Sequence, residues 1–179
     1  MEFHWLEKNK SLKKHIDFMQ YASNPQLRLA LFEPDIPQNT GAILRLAACL
    51  GIGVDIIEPC GFVFSEKRLL RSGMDYLQYV NYQLHQSWEF FYSSRVEADG
   101  RLILLTTKSS LPYTSFEFNK NDTLMLGRES AGVPEKVHEV VDARLIIPMV
   151  ETMRSLNVAQ SASMVLGEAL RQLNLFSDT

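Results

Sequence analysis

An α/β fold with a parallel sheet flanked by helices is what this sequence predicts, on three observations. From Leu27 onward short β-rich runs alternate with helical patterns, the later runs are continuously apolar, and most lead into Gly, Pro or polar residues. The 179 residues suffice for one hydrophobic core. Leu27 to Phe32 reads as the first strand, stopped by Pro34 and Pro37 in a rigid loop. A helix follows, with Ile43, Leu44, Ala47, Ala48 and Leu50 at helical spacing, Asn39 or Thr40 available as its cap, Cys49 on its apolar face and Gly51 suited to a left-handed stop.

Val54 to Ile57 is the next strand, followed by a short helix near Glu66 to Arg71 and a strand near Tyr79 to Leu84. Trp88, Phe90, Phe91 and Tyr92 open another helix. Leu102 to Thr106, Leu124 to Leu126 and Leu145 to Ile147 read as buried strands. The last helix carries Val158, Ala162, Val165, Leu166, Ala169, Leu170 and Leu173 on one stripe and packs along it. Residues 1–24 form a charged N-terminal extension, flexible on this reading, ahead of a domain spanning 25–179.

Composition excludes several classes. A hydrophobic content of 46% is too high for wholesale disorder, and eighteen Lys and Arg against twenty-one Asp and Glu give a net charge of −3, so the chain is no polycation, although a local basic patch survives such an average. Two cysteines, Cys49 and Cys60, build neither a disulfide framework nor an all-thiolate zinc site, which suits a reducing compartment. The first twenty residues lack a signal-peptide core, and runs such as Leu102 to Leu105 fall far short of the roughly 20 apolar residues that span a bilayer. A soluble, cytoplasmic protein without membrane association or metal is expected. His4, His15, His85 and His138 lack metal-ligand spacing and read as surface or structural residues, and the signatures of zinc peptidases, nucleophile elbows and phosphate-binding loops are absent.

Three clusters that follow strands can carry chemistry. In Pro37 to Arg45, Asn39 and Thr40 stand at a helix start, where backbone N–H groups suit an anion, and Arg45 lies about one and a half turns further along. In Gly127 to Pro134 the glycines permit positive φ and close backbone approach to a ligand, or a plain turn. In Pro148 to Asn157, Ser155 or Asn157 can cap the final helix.

Taken together and in this order, Asn39 to Arg45, Gly127 to Gly132 and Ser155-Leu156-Asn157 resemble the three motifs of the SpoU branch of the SPOUT RNA methyltransferases, over about Leu29 to Leu173. The strings from Phe32 to Gly41, Ile57 to Phe62 and Arg71 to Tyr76 are most similar to the subgroup that methylates the tRNA wobble nucleotide, C34 or U34. The resemblance implies a C-terminal trefoil knot, a homodimer, and S-adenosylmethionine as methyl donor, leaving as S-adenosylhomocysteine. It implies cofactor contacts at Leu105, Gly127, Ile147 and Ser155, and a catalytic set of Arg45, Asn39, Glu129 and Asn157.

Arg45 would face the reacting 2'-hydroxyl. Because a guanidinium keeps its charge in proteins, holding phosphate and stabilising developing negative charge suits it better than acting as a base. Lys67, Arg68, Arg71, Arg128 and Arg154 join Arg45 as expected RNA contacts, with Arg128 at a position often occupied by Pro in the wobble subgroup. A different tRNA nucleotide, ribosomal RNA, or a non-catalytic RNA-binding module are the alternatives.

Overall fold

The structure, a computed structural model, describes residues 27–65, 76–96 and 100–176. The extension over 1–24 and the helix expected near 66–71, with Lys67, Arg68 and Arg71, lie outside them. Strands β1 (Arg28–Phe32), β2 (Gly53–Ile57), β3 (Tyr82–His85), β4 (Leu102–Leu105), β5 (Thr123–Leu126) and β6 (Ala143–Leu145) form one sheet in the order β3-β2-β1-β5-β4-β6, parallel at every pairing. Leu29 sits opposite Val54 on one side and Leu124 on the other. All C-terminal strand ends therefore open on one edge. The strand order reverses beside β1, so the segments after β1 and β5 diverge around a crevice of the kind where open α/β sheets bind ligands.

Alternation along β1 divides the core between two faces. Leu29 and Leu31 pack with Ile43, Leu44 and Ala47 of helix α1 (Pro37–Leu50) and with the buried stripe of the last helix. Ala30 and Phe32 face the opposite layer, with Trp88 and Phe91 of α2 (Trp88–Val96) and Val137 of α3 (Glu135–Val140). In α4 (Val158–Leu173), Ala162, Val165, Leu166, Ala169 and Leu170 are buried and Val158 and Leu173 partly so, as the periodicity predicts.

Four local expectations need correction. Helix α1 starts at Pro37 after Ile36, with no side-chain cap: proline's fixed φ suits the first turn, and the Asn39 side chain is left for a tertiary role. Cys49 is exposed, because two residues beyond the buried Ala47 is about 200° around the helix. A single 3-10 turn, Leu77–Tyr79, occupies the start of the expected third strand, burying Leu77, and β3 begins only at Tyr82. The strand expected at Leu145 begins instead at Ala143, and beyond it Ile146 makes an isolated bridge to Pro112. Gly51 stops α1 with φ 64°, as expected.

One buried ionic group ties the first three strands together. The Asp55 carboxylate receives Nε of Arg28 at 2.7 Å and Nη2 at 3.0 Å, and His85 Nε2 lies 2.9 Å from it. Burial disfavours the charge, but the hydrogen bonds from His85 and Arg28 outweigh this and hold the Asp55 carboxyl below its ordinary range. Asp55→Asn leaves the Arg28 charge without its partner and should cost about 3 kcal/mol, a fall of roughly 6–12 °C in Tm, readable by thermal unfolding at neutral pH. Because the folded-state value is depressed, the contribution is complete above the unfolded carboxylate value of about 4 and is lost as pH falls through the folded one. The difference between wild type and variant should narrow on acidification.

Candidate active site

The segments following β1, β4, β5 and β6 enclose a cavity of about 440 Å³ at the C-terminal edge of the sheet, within the usual range for a small-molecule site. Leu105, Gly127, Ile147 and Ser155 all line it, together with Asn39, Glu129 and Asn157. Arg45 does not. It is exposed on α1, with its guanidinium carbon 4.7 Å from the centre of the Tyr76 ring, in a cation–π arrangement.

The wall after β5 is a closed loop. Arg128 and Gly132 exchange two backbone hydrogen bonds of 2.9 Å. Gly132 has φ +69°, a conformation that side chains oppose. Gly127 is required for a different reason: a Cβ there would lie 2.6 Å from the Gly132 carbonyl carbon.

A line of hydrogen bonds joins the three clusters. Asn157 caps α4, its Oδ1 accepting from the Ala159 N–H at 2.9 Å and the Gln160 N–H at 3.4 Å. Its Nδ2 donates to Asn39 Oδ1 at 2.9 Å, across 118 residues of sequence. Asn39 Nδ2 donates to Glu129 Oε1 at 2.9 Å, and Glu129 Oε2 accepts from the Asp35 backbone N–H at 2.9 Å. Asn39, Glu129 and Asn157 thus form one polar unit beside the cavity.

Arg128, expected as an RNA contact, is partly exposed and engaged by two carboxylates. Its Nε and Nη2 donate to Asp35 Oδ1 at 3.2 and 2.7 Å, and its Nη1 to Glu33 Oε2 at 3.1 Å. Two carboxylates already neutralise this guanidinium, which weakens any attraction to phosphate. The hydrogen bonds from Arg128 and Ser130 hold the Asp35 carboxyl down at about 2. Arg154 and Ser155 are exposed in the stretch before α4, where Val150 and Met153 are 69% and 61% exposed.

The sequence reading missed Asp35, Glu33, Ser130 and Tyr76. The one local hint was an acidic residue held between Pro34 and Pro37, where side-chain direction is constrained. The Cys60 thiol is raised to about 11 by burial, with Glu58 and Glu33 adding to the effect, which keeps it protonated at neutral pH. His85 and His138 are buried. Among the described residues no group of His, Cys, Asp or Glu could hold a metal ion, and no helix is long and apolar enough to cross a membrane.

Residues 26–167, which include every loop of this site, match the SpoU rRNA Methylase family. The chain belongs to that family. Its relatives include a tRNA (cytidine(34)-2'-O)-methyltransferase of Beijerinckia indica, 57% identical over 145 residues that make up 81% of this chain and 91% of the relative. The enzyme of the same name from Escherichia coli K12 is 39% identical, over 82% of this chain and 94% of its own. A solved structure described in terms of 2-OH methylation of C/U34 on tRNA superposes with a TM-score of 0.76 at 37% identity, covering 83% of this chain and 96% of that one. An AdoMet-bound rRNA methyltransferase from Sinorhizobium meliloti superposes with a TM-score of 0.74 at 26% identity, covering 82% of this chain and 56% of that one. In this SpoU-family chain the sheet is the one expected, six parallel strands covered by helices on both faces.

Proposed function

We propose that the chain transfers a methyl group from S-adenosylmethionine to the ribose 2'-oxygen of the tRNA wobble nucleotide, C34 or U34. The observation that carries this reading is the convergence of Asn39, Glu129 and Asn157 on a cavity lined by Leu105, Gly127, Ile147 and Ser155. The cavity fits the cofactor in size and chemistry: Leu105 and Ile147 offer aliphatic cover for an adenine, and at Gly127 and Gly132 no side chain stands between the backbone and the cavity. When bound, S-adenosylmethionine supplies an electrophilic methyl group and leaves as S-adenosylhomocysteine.

The chain's own contribution is position and charge. Asn39 and Asn157 hold the acceptor side of the cavity in one geometry, and Glu129 fixes Asn39. Arg45 holds the substrate phosphate and stabilises negative charge developing on the 2'-oxygen, the proton leaving to water or phosphate. Arg154 adds a phosphate contact, with Lys67, Arg68 and Arg71 assigned the same role from the sequence. The reading includes one methyltransferase domain over 25–179 acting on tRNA in the cytoplasm, a C-terminal trefoil passage, and a homodimer. Exposed Val150, Met153 and Leu156 in the stretch before α4, and exposed Met164 on α4 itself, favour a covered interface there.

Incubation with methyl-labelled cofactor and unmodified tRNA, with ribosomal RNA in a parallel reaction, followed by mass-spectrometric mapping, tests the proposal. Label in the ribose of nucleotide 34 supports it. Label elsewhere in tRNA, or in ribosomal RNA alone, moves the target, and cofactor binding without incorporation indicates a non-catalytic module. Within the same assay Asn39→Ala should lower kcat/KM about 100-fold, the scale of a misplaced reactant. Ser155→Ala should cost less than about tenfold, since backbone groups at 155 remain.

A further inference from the structure

Asp35, which lies in the string from Phe32 to Gly41 but outside the set of expected site residues, binds three consecutive residues of the loop after β5. Its Oδ1 accepts from Arg128, its backbone N–H donates to Glu129 Oε2, and its Oδ2 accepts from the Ser130 N–H at 3.1 Å and the Ser130 hydroxyl at 2.5 Å. The backbone N–H bond to Glu129 fixes one of its oxygens, so the other is presented to Asn39. Glu33 holds the remaining face of Arg128. From behind, the Gly61 N–H donates to the Pro34 carbonyl at 2.9 Å, and a Cβ at position 61 would lie 2.9 Å from Asp35 Cα and 3.0 Å from its Oδ1. The ground under Asp35 is therefore as closely set as its contacts in front.

We infer that Asp35 is a positioning residue for the transfer reaction, acting through Glu129 on the Asn39 side chain, with Gly61 as its backing. The inference deepens the proposed function and rests on it for the reaction concerned. The carboxylate's bonds to Arg128 and Ser130 set where the Asp35 backbone N–H lies against Glu129, so removing the carboxylate loosens that bond without deleting it, whereas the cofactor wall is closed by the backbone pair between Arg128 and Gly132 with the close approach of Gly127. Disturbing Asp35 should thus disturb the acceptor side more than the cofactor side. The hydrogen bonds from Arg128 and Ser130 hold the Asp35 carboxyl below the usual carboxylate range, so the clamp is charged at neutral pH.

The test compares wild type, Asp35→Ala and Gly61→Ala as full-length protein. The side-chain amide signal of Asn39, identified by its absence from the spectrum of Asn39→Ala, is followed by NMR without any ligand. Expected in Asp35→Ala are a shifted signal and amide exchange at least about tenfold faster, with the same changes in smaller measure in Gly61→Ala, which removes no side chain. In parallel, kcat on tRNA should fall about 10- to 100-fold. The affinity for S-adenosylhomocysteine by calorimetry should stay within about threefold, about 0.6 kcal/mol.

An unchanged Asn39 signal in both variants overturns the inference. So does an equal loss of cofactor affinity and kcat, the mark of general destabilisation. If Asp35→Ala fails to fold, Gly61→Ala carries the same two readouts. Should wild type transfer no methyl to tRNA while the Asn39 signal responds as described, the substrate assignment fails and the positioning role stands.

Discussion

Replacing Arg45 with alanine is expected to lower methyl transfer by about 10²–10³-fold, the scale on which a single charge-stabilising donor acts, while leaving cofactor affinity nearly unchanged. The division follows from where the residue sits. Arg45 is exposed on α1 and takes no part in lining the cavity, so its loss removes nothing that a methyl donor would touch. The aromatic contact with Tyr76 holds the guanidinium near the protein surface without neutralising it, in contrast to Arg128, which is paired with two carboxylates. Single-turnover rates with tRNA, set beside calorimetric titration with S-adenosylhomocysteine, check both halves. A parallel loss of cofactor affinity would show that Arg45 serves the donor and not the acceptor.

Gly127→Ala should produce the opposite pattern, weakening the cofactor about 100-fold or more, near 3 kcal/mol, with transfer at saturating cofactor less affected. The methyl group would meet Gly132 backbone on three atoms at 2.6 to 2.9 Å, and backbone cannot swing aside as a side chain can. Relief requires opening the paired Arg128 and Gly132 backbone groups, which moves the cavity wall itself. Titration with S-adenosylhomocysteine and the KM for S-adenosylmethionine measure the effect. Unchanged affinity would mean that this wall does not touch the donor.

How much of this was legible in the sequence depends on the distance over which each signal acts. The apolar runs at Leu102 to Leu105 and Leu124 to Leu126 announce strands covered on both faces because burial acts on every residue of the run. Asn157 announces itself as a cap because its partners, Ala159 and Gln160, are two and three residues away. Asn39 carries the same local signature, but Pro37 already starts α1, and the amide turns to partners 90 and 118 residues distant. Arg128 illustrates the limit from the other side. Its charge reads as an RNA contact, and nothing near it in sequence discloses Asp35, 93 residues away. Helix α3 escaped because its six residues are too few to display a period.

The bonds from α4 to Glu129 all run in one sense. The N–H groups at the start of α4 claim the oxygen of Asn157, which turns its nitrogen outward, which in turn claims the oxygen of Asn39 and aims that nitrogen at Glu129. Neither amide can be reversed alone. Slow chemical ageing that converts Asn39 to aspartate would exchange a donor for a second acceptor and set two negative charges face to face at the middle of the line. Wear of this kind would silence the protein while its sheet and helices stayed whole.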